Sequence, residues 1–138
     1  MATSDTLAQL KSRILSHFSM MFLSTWEEER WEAELAALAT EMDRGLVTWT
    51  VTRGARAGYG LQAADCGGTT GDDSEPSGFL RQVPDFPRGQ LFLLKDFHPY
   101  LADPHIVRQL RDLAPLLIEQ HKTLLFMGPE SEIPVELL

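Results

Sequence analysis

The chain is poor in cysteine, in basic residues and in long apolar runs. Its single cysteine, Cys66, excludes an intramolecular disulfide and fits a reducing compartment. Only 12 Lys and Arg oppose 20 Asp and Glu, which gives a formal net charge of -8. That balance disfavours nucleic acid and anionic membrane surfaces as partners, because both require clustered cations.

No apolar run approaches the roughly 20 residues that span a bilayer, and Met1–Asp5 lacks the basic start of a secretory signal. We therefore expect a cytoplasmic protein.

The sequence also lacks the glycine-rich loop G-x-x-x-x-G-K-[ST], with which many ATPases hold the phosphates of ATP. A strand-to-helix turn at Ser24–Arg30 is the place where such a loop would be expected. Trp26 is bulky there, and the carboxylates of Glu27, Glu28 and Glu29 would repel a triphosphate. The sequence therefore predicts no bound cofactor.

Other common catalytic patterns are missing as well. Ser24 does not lie in a G-x-S-x-G nucleophile elbow. The four histidines lack the close spacing of a zinc site, which normally has three or four ligands. The sequence predicts no catalytic residue and no metal site.

The most informative segment that is present is Gln90–Phe97, in which a short apolar run ends in Asp96. In ATPases built on a parallel sheet, an acidic residue at this position binds the magnesium ion that accompanies ATP. Ligands of open α/β sheets bind at the carboxyl ends of the strands, where Asp96 is expected to lie. If no nucleotide binds, the alternative to a magnesium-binding role is a structural one, in which Asp96 caps a turn or pairs with Lys95 or an arginine.

Alternating strand and helix patterns predict an α/β fold with three layers. The central, mostly parallel sheet is expected to have four or five strands, joined by right-handed crossovers. Leu23, Val47, Leu93 and Leu125 are expected to be buried strand residues. Asp103 and Pro104 are expected to begin a helix, as cap and first residue.

Residues 53–89 interrupt this pattern with a segment that is rich in Gly, Asp, Ser and Pro. A connection of this length is uncommon inside a compact domain. We interpret it as a long insertion, either mobile or functional, in place of the usual crossover helix. Within it, Phe79, Leu80 and Val83 are expected to dock on the body of the domain.

Several aromatic and polar residues are predicted to form an interaction surface at the carboxyl ends of the strands. The strand-to-helix loop after Lys95 is expected to be partly exposed, and exposed aromatic side chains are good interface anchors. The predicted surface consists of Trp26, Asp96, Phe97, His98 and Tyr100.

The N-terminal domain of a family of AAA+ ATPases resembles two segments of this chain, Leu94–Leu101 and Leu110–Ala114. The first contains the loop after Lys95, and the second lies in the predicted helix that follows. The best-known members of that family are cyanobacterial and plastid open-reading-frame proteins, and it has bacterial relatives. The resemblance covers nearly the whole chain outside residues 53–89. It includes Ser24–Arg30, Val47–Thr52, Lys122–Phe126 and Ile133–Leu137.

The resemblance implies that residues 1–138 form a single degenerate AAA+/RecA-like domain, a P-loop ATPase core without its phosphate-binding loop. It implies a non-catalytic regulatory or adaptor domain that binds a protein partner, namely an AAA+ module in cis or in trans. Two alternatives stay open. In the first, the chain is a self-assembling scaffold and therefore a homo-oligomer. In the second, it is a divergent nucleotide hydrolase that uses Asp96, assisted by His98.

Overall fold

A computed structural model describes residues 3–16, 19–24, 27–59 and 75–128. Its helices are α1 (Thr3–Leu15), α2 (Glu28–Glu41), α3 (Pro76–Gln82) and α4 (Pro104–Glu119). Its strands are β1 (Met20–Ser24), β2 (Leu46–Thr50), β3 (Gly54–Tyr59), β4 (Leu91–Lys95) and β5 (Thr123–Gly128). Two short 3-10 helices, Val83–Asp85 and His98–Ala102, follow α3 and β4.

The strands form one sheet in the order β1-β5-β4-β2-β3. The first four of these are parallel to one another, and β3 pairs antiparallel to β2. The hairpin between β2 and β3 ends at Gly54, whose φ of 72° suits a residue without a Cβ. The architecture is the predicted mostly parallel α/β sheet, consistent with a P-loop-like core.

Helices cover both faces of the sheet, because successive strand residues point in opposite directions. On one face, α1 and α2 pack against alternate strand residues that include Leu91, Leu93 and Leu125. On the other face, α3 and α4 pack against Phe92, Leu94 and their neighbours. The three-layer prediction is confirmed. The four predicted core residues are all buried in strands: Leu23, Val47, Leu93 and Leu125.

The start of α4 follows the prediction. Asp103 is the N-cap residue, and its carboxylate accepts a hydrogen bond of 2.9 Å from the backbone N–H of His105. Pro104 is the first helical residue, where the absence of an N–H has no cost. This cap fixes the direction of the chain as it leaves the carboxyl end of β4.

In the described residues of the segment 53–89, β3 and α3 are regular elements that the sequence pattern did not predict. β3 extends the sheet by an edge strand, and α3 packs beside α4. Phe79, Leu80 and Val83 are almost fully buried, as predicted. Residues 60–74 lie outside the described residues.

Lys122 holds this segment to the rest of the domain. Its side chain is buried, and its ammonium donates hydrogen bonds to the carbonyl oxygens of Val83 (2.8 Å) and Pro84 (3.3 Å) and to the side chain of Gln120. The bonds join the 3-10 helix after α3 to the junction of α4 and β5. A single cation therefore satisfies three acceptors, two of which lie 38 and 39 positions earlier in the chain.

Candidate functional site: the carboxyl edge of the sheet

The carboxyl edge is the side of the sheet on which β1, β2, β4 and β5 end and next to which α2 and α4 begin. Ligands of open α/β folds bind along this side. Each parallel strand delivers its last residues to the same edge, so residues distant in sequence meet there. Two groups of polar residues lie at this edge, one on each side of β4.

The first group consists of Asp96 and His98, which lie close to Gly128 at the end of β5. A Cβ added to Gly128 would lie 2.9 Å from Nδ1 of His98 and 3.7 Å from Oδ1 of Asp96. The imidazole ring therefore packs on the glycine itself, and a side chain at position 128 would displace it.

Within this group, His98 keeps a buried nitrogen unsatisfied. Its Nδ1 atom has no hydrogen-bond partner in the structure of the described residues. Asp96 is exposed and adopts a left-handed backbone with φ 54°, an uncommon conformation for a residue other than glycine. Its N–H donates a hydrogen bond of 2.7 Å to the carbonyl oxygen of Met127. This bond fastens the turn after β4 to the neighbouring strand.

Of the structural alternatives for Asp96, the ion pair with Lys95 is wrong. Lys95 points to the α2 side of the sheet, where its ammonium contacts Glu32 and lies 3.5 Å from Glu28. Asp96 follows β4 in a turn with a left-handed backbone, and its carboxylate lies beside Gly128 instead. Within the described part of the chain, Asp96 forms no ion pair.

Phe97 corrects the predicted interaction surface. It is fully buried and packs against Trp49, Tyr100 and Phe126, with ring centroids 5.4 Å apart in each pair. The left-handed turn at Asp96 directs the next side chain into the core. Phe97 is therefore a core residue in this structure and not a surface anchor.

The other members of the predicted surface lie in different environments. Tyr100 is half-buried, and its ring stands 6.3 Å from that of Trp49. His98 is half-buried and Asp96 is exposed, so these two and Tyr100 offer accessible atoms. Trp26 lies outside the described residues.

The second polar group was missed by the sequence analysis, and we call it the ionic groove. It is a cavity of about 720 Å³ between the first turns of α2 and the ends of β2 and β4. This volume is within the usual range for ligand sites. Its lining consists of Glu28, Glu29, Glu32, Ala33, Thr48, Thr50, Thr52, Arg53, Gly54 and Lys95.

Lys95 is the central charge of the ionic groove. Only 14% of its side chain is exposed, and it lies between the carboxylates of Glu28 and Glu32. Those two residues are one helical turn apart on α2, so they reach the same cation. The three side chains join the first turn of α2 to the end of β4.

Hydroxyl groups form the opposite wall of the ionic groove. Thr48 and Thr50 are two positions apart on β2, so their side chains point to the same face of the sheet, the face that α2 covers. Thr52 follows in the turn. Thr50 accepts a hydrogen bond of 3.1 Å from the N–H of Arg53, which fixes the turn. Alternating threonines at the end of a strand were a signal in the sequence, but their carboxylate partners on α2 were not.

Two kinds of feature are absent from the described ranges. Between residues 3 and 128, apart from the gaps named above, no group of three or more potential metal ligands occurs. Among the helices of the same ranges, none combines the length and the apolar character that crossing a bilayer requires.

Comparisons with known proteins agree with the architecture. Residues 6–138 match the model of the family described as SpoVK-like AAA ATPase, N-terminal domain. The uncharacterized AAA domain-containing protein ycf46 of Guillardia theta is 28% identical over 128 residues, which are 92% of this chain and 24% of that protein. The protein of the same name from Trieres chinensis is 45% identical over 47 residues, which are 34% of this chain and 10% of that protein.

The chain thus spans about a quarter of the length of the Guillardia relative. No solved structure matches it. The family match covers almost all of the residues, and the five-stranded α/β sheet agrees with the fold that the resemblance implied. The chain belongs to the family of SpoVK-like AAA ATPase N-terminal domains.

Proposed function

We propose that this chain is a non-catalytic regulatory or adaptor domain that binds proteins on behalf of an AAA+ ATPase module. The module is attached in cis or is a separate chain. The family supports the connection with an AAA+ ATPase. The carboxyl edge supports the non-catalytic role.

One observation carries this proposal: carboxylates occupy the first turn of α2. A helix N-terminus binds phosphate when its N–H groups are accessible and a cation is near. Here Glu28 and Glu29 lie in the first turn, and the nearby cation, Lys95, is already held by Glu28 and Glu32. A triphosphate would meet excess negative charge where it needs positive charge.

The alternative of a divergent hydrolase rests on Asp96 and His98, which meet beside Gly128. Neither residue is accompanied by a phosphate-binding cation within the described residues of this turn, since Lys95 faces the other side of the sheet. A general acid or base without a site for its substrate does not make a hydrolase. We therefore favour the adaptor.

The adaptor role predicts direct binding to an AAA+ module. The 138-residue chain is titrated into the purified AAA+ region of a longer relative, such as the Guillardia protein, with calorimetry and ATP hydrolysis as readouts. We expect saturable binding at micromolar concentration and a changed hydrolysis rate, since transient domain interfaces give affinities of about this order.

The control is the same titration with an unrelated acidic domain of similar size and charge. If neither heat nor hydrolysis rate responds specifically to the chain, the proposed adaptor role is wrong. A self-assembling scaffold would instead change its mass with concentration in light scattering and would ignore the AAA+ region.

A further inference from the structure

β1 is one of the two edge strands of the sheet, and among the described residues it pairs only with β5. The N–H of Leu124 donates a hydrogen bond of 2.8 Å to the carbonyl oxygen of Ser19, and Met20 stands opposite Leu124. In a parallel pair with this register, the backbone groups of Met21 point toward β5, and those of Met20 and Phe22 point away from it. The outer edge of β1 therefore presents N–H and C=O groups that can pair with a further strand.

The side chains of β1 are covered differently on the two faces of the sheet. Met21 and Leu23 are buried under α1 and α2. Met20 and Phe22 point to the face that α3 and α4 cover, where they pack against the core but are only half-buried. The helices on this face thus leave part of the outermost strand uncovered. Side chains of a strand added beside β1 would cover the remaining apolar surface of Met20 and Phe22.

The composition of β1 is unusual for an edge strand, since natural sheets protect their edges with charges, proline or bulges. Ser19–Ser24 contains no charged residue, no proline and no glycine, and its register with β5 runs without a shift. The opposite edge strand, β3, contains two glycines and Arg56, and its register with β2 shifts between Leu46 and Val47. Of the two edges, β1 is the one without protection against pairing.

Charge and the length of a relative indicate which strand pairs there. The chain has a net charge of -8, so an acidic strand or a second copy of the chain would be repelled, whereas an uncharged strand of another protein would not. The matched residues are 24% of the Guillardia protein, so about three quarters of that protein lies outside the region that resembles this chain. That larger part is long enough to supply a strand.

We propose that the outer edge of β1 accepts an extended, uncharged strand of alternating apolar residues from the AAA+ partner. The proposal rests on the proposed adaptor function and names the surface and the chemistry of its contact. Strand addition obtains affinity from main-chain hydrogen bonds and specificity from the side chains of every second residue. Met20 and Phe22 supply both, since their backbone groups point outward and their side chains form a half-open apolar surface.

The test compares variants that differ in one outward-pointing N–H. Phe22→Pro removes an N–H that points away from β5, and proline in that orientation is tolerated on an edge strand. Phe22→Ala is the matched control, because it also lacks the ring but keeps the N–H. Met20→Pro and Met20→Ala form a second pair at the first residue of β1, another position that tolerates proline. Urea denaturation establishes which of the four variants are folded, and each pair is sufficient alone.

Each variant is titrated calorimetrically with the purified AAA+ region of the Guillardia protein. We expect each proline variant to bind at least tenfold more weakly than its alanine control, because a lost main-chain hydrogen bond and a blocked edge both oppose pairing. Hydrogen exchange, read by mass spectrometry, locates the contact in the wild type. The amides of Ser19–Ser24 should exchange at least about tenfold more slowly in the complex, and those of β3 should change by less than about twofold.

A strand peptide, acetyl-Lys-Thr-Val-Thr-Val-Thr-Lys-amide, tests the edge without the AAA+ region. Its control carries N-methyl groups on one valine and one threonine, which keeps the charge and blocks both hydrogen-bonding edges of the peptide. We expect the first peptide, and not its methylated form, to slow the exchange of Ser19–Ser24. An equal effect of the two peptides, or no effect of either up to millimolar concentration, would overturn the proposal.

The outcomes separate the edge from the adaptor role. If the proline variants bind the AAA+ region as tightly as their alanine controls, the adaptor role stands and the proposal for β1 is overturned. A peptide effect without any binding of the AAA+ region would overturn the adaptor role and the named partner, and would support β1 as a strand-binding edge. A dimer of the free chain that Phe22→Pro abolishes and Phe22→Ala keeps would show that a second copy occupies the edge, and would overturn the proposal.

Discussion

Replacing Phe97 by alanine is expected to destabilise the domain by about 3–5 kcal/mol, the usual cost of removing a buried phenylalanine ring. Phe97 has no exposed surface and lies among three other aromatic rings. Its loss would leave a cavity between β2, β5 and the 3-10 helix after β4. Urea denaturation monitored by tryptophan fluorescence measures the change, because Trp49 contacts the lost ring.

Ile118→Ala is the matched control, since 47% of Ile118 is exposed at the end of α4. We expect it to change the free energy of unfolding by no more than about 0.5 kcal/mol, as surface substitutions usually do. Equal effects of the two substitutions would contradict the assignment of Phe97 to the core. The result also matters for function, since partner binding lost in a Phe97 variant would reflect unfolding and not a missing contact.

Replacing Lys122 by methionine is expected to cost about 2–3 kcal/mol, because hydrogen bonds to a charged group are stronger than neutral ones. The carbonyl oxygens of Val83 and Pro84 and the side chain of Gln120 would lose their donor. Lys11→Met is the control: Lys11 forms an exposed ion pair of 3.0 Å with Glu41. Pairs of that kind contribute about 0–1 kcal/mol.

Lys122 also gives the stability of the domain a pH dependence. Burial lowers the pKa of Lys122 from 10.5 to about 8, an effect that Asp85 opposes and Arg88 assists. The folded state therefore releases this proton more readily than the unfolded state. Below about pH 8 both states are charged and the cost of burying the charge is fully present; above about pH 10.5 both are neutral and it is absent.

The difference in free energy of unfolding between wild type and Lys122→Met should thus grow in favour of the wild type as the pH rises from about 8 to about 10.5. Urea denaturation of both proteins at four or five pH values in this range measures it. Because the two proteins share all other titratable groups, the effect of those groups cancels in the difference between the two free energies. A flat or falling difference would show that burial does not lower the pKa of this lysine.

The fold was largely predictable because β1, β2, β4 and β5 are continuous apolar or β-branched runs of strand length. Such runs identify strands that are covered on both faces. β3 and α3 were not predicted, since Gly54–Tyr59 contains two glycines and Pro76–Gln82 is a single short helix. Their regular structure depends on pairing with β2 and packing against α4, which local sequence does not encode.

The site was less predictable than the fold. The turn at Asp96 adopts a positive φ without a glycine, and this sends Phe97 inward against the simple expectation for a loop aromatic. The ionic groove depends on tertiary proximity of Lys95 to two glutamates more than 60 positions earlier in the sequence. A single sequence contains both sets of charges but not the crossover geometry that brings them together.

The most direct test of the central claim is calorimetric titration of the 138-residue chain with ATP and magnesium. The claim is that the carboxyl edge, with Glu28 and Glu29 in the first turn of α2 and Lys95 held by Glu28 and Glu32, accepts protein groups and not a nucleotide. We predict no saturable binding up to millimolar ATP and no phosphate release. Micromolar binding with hydrolysis that disappears in Asp96→Asn would contradict the account and would establish the chain as a nucleotide hydrolase.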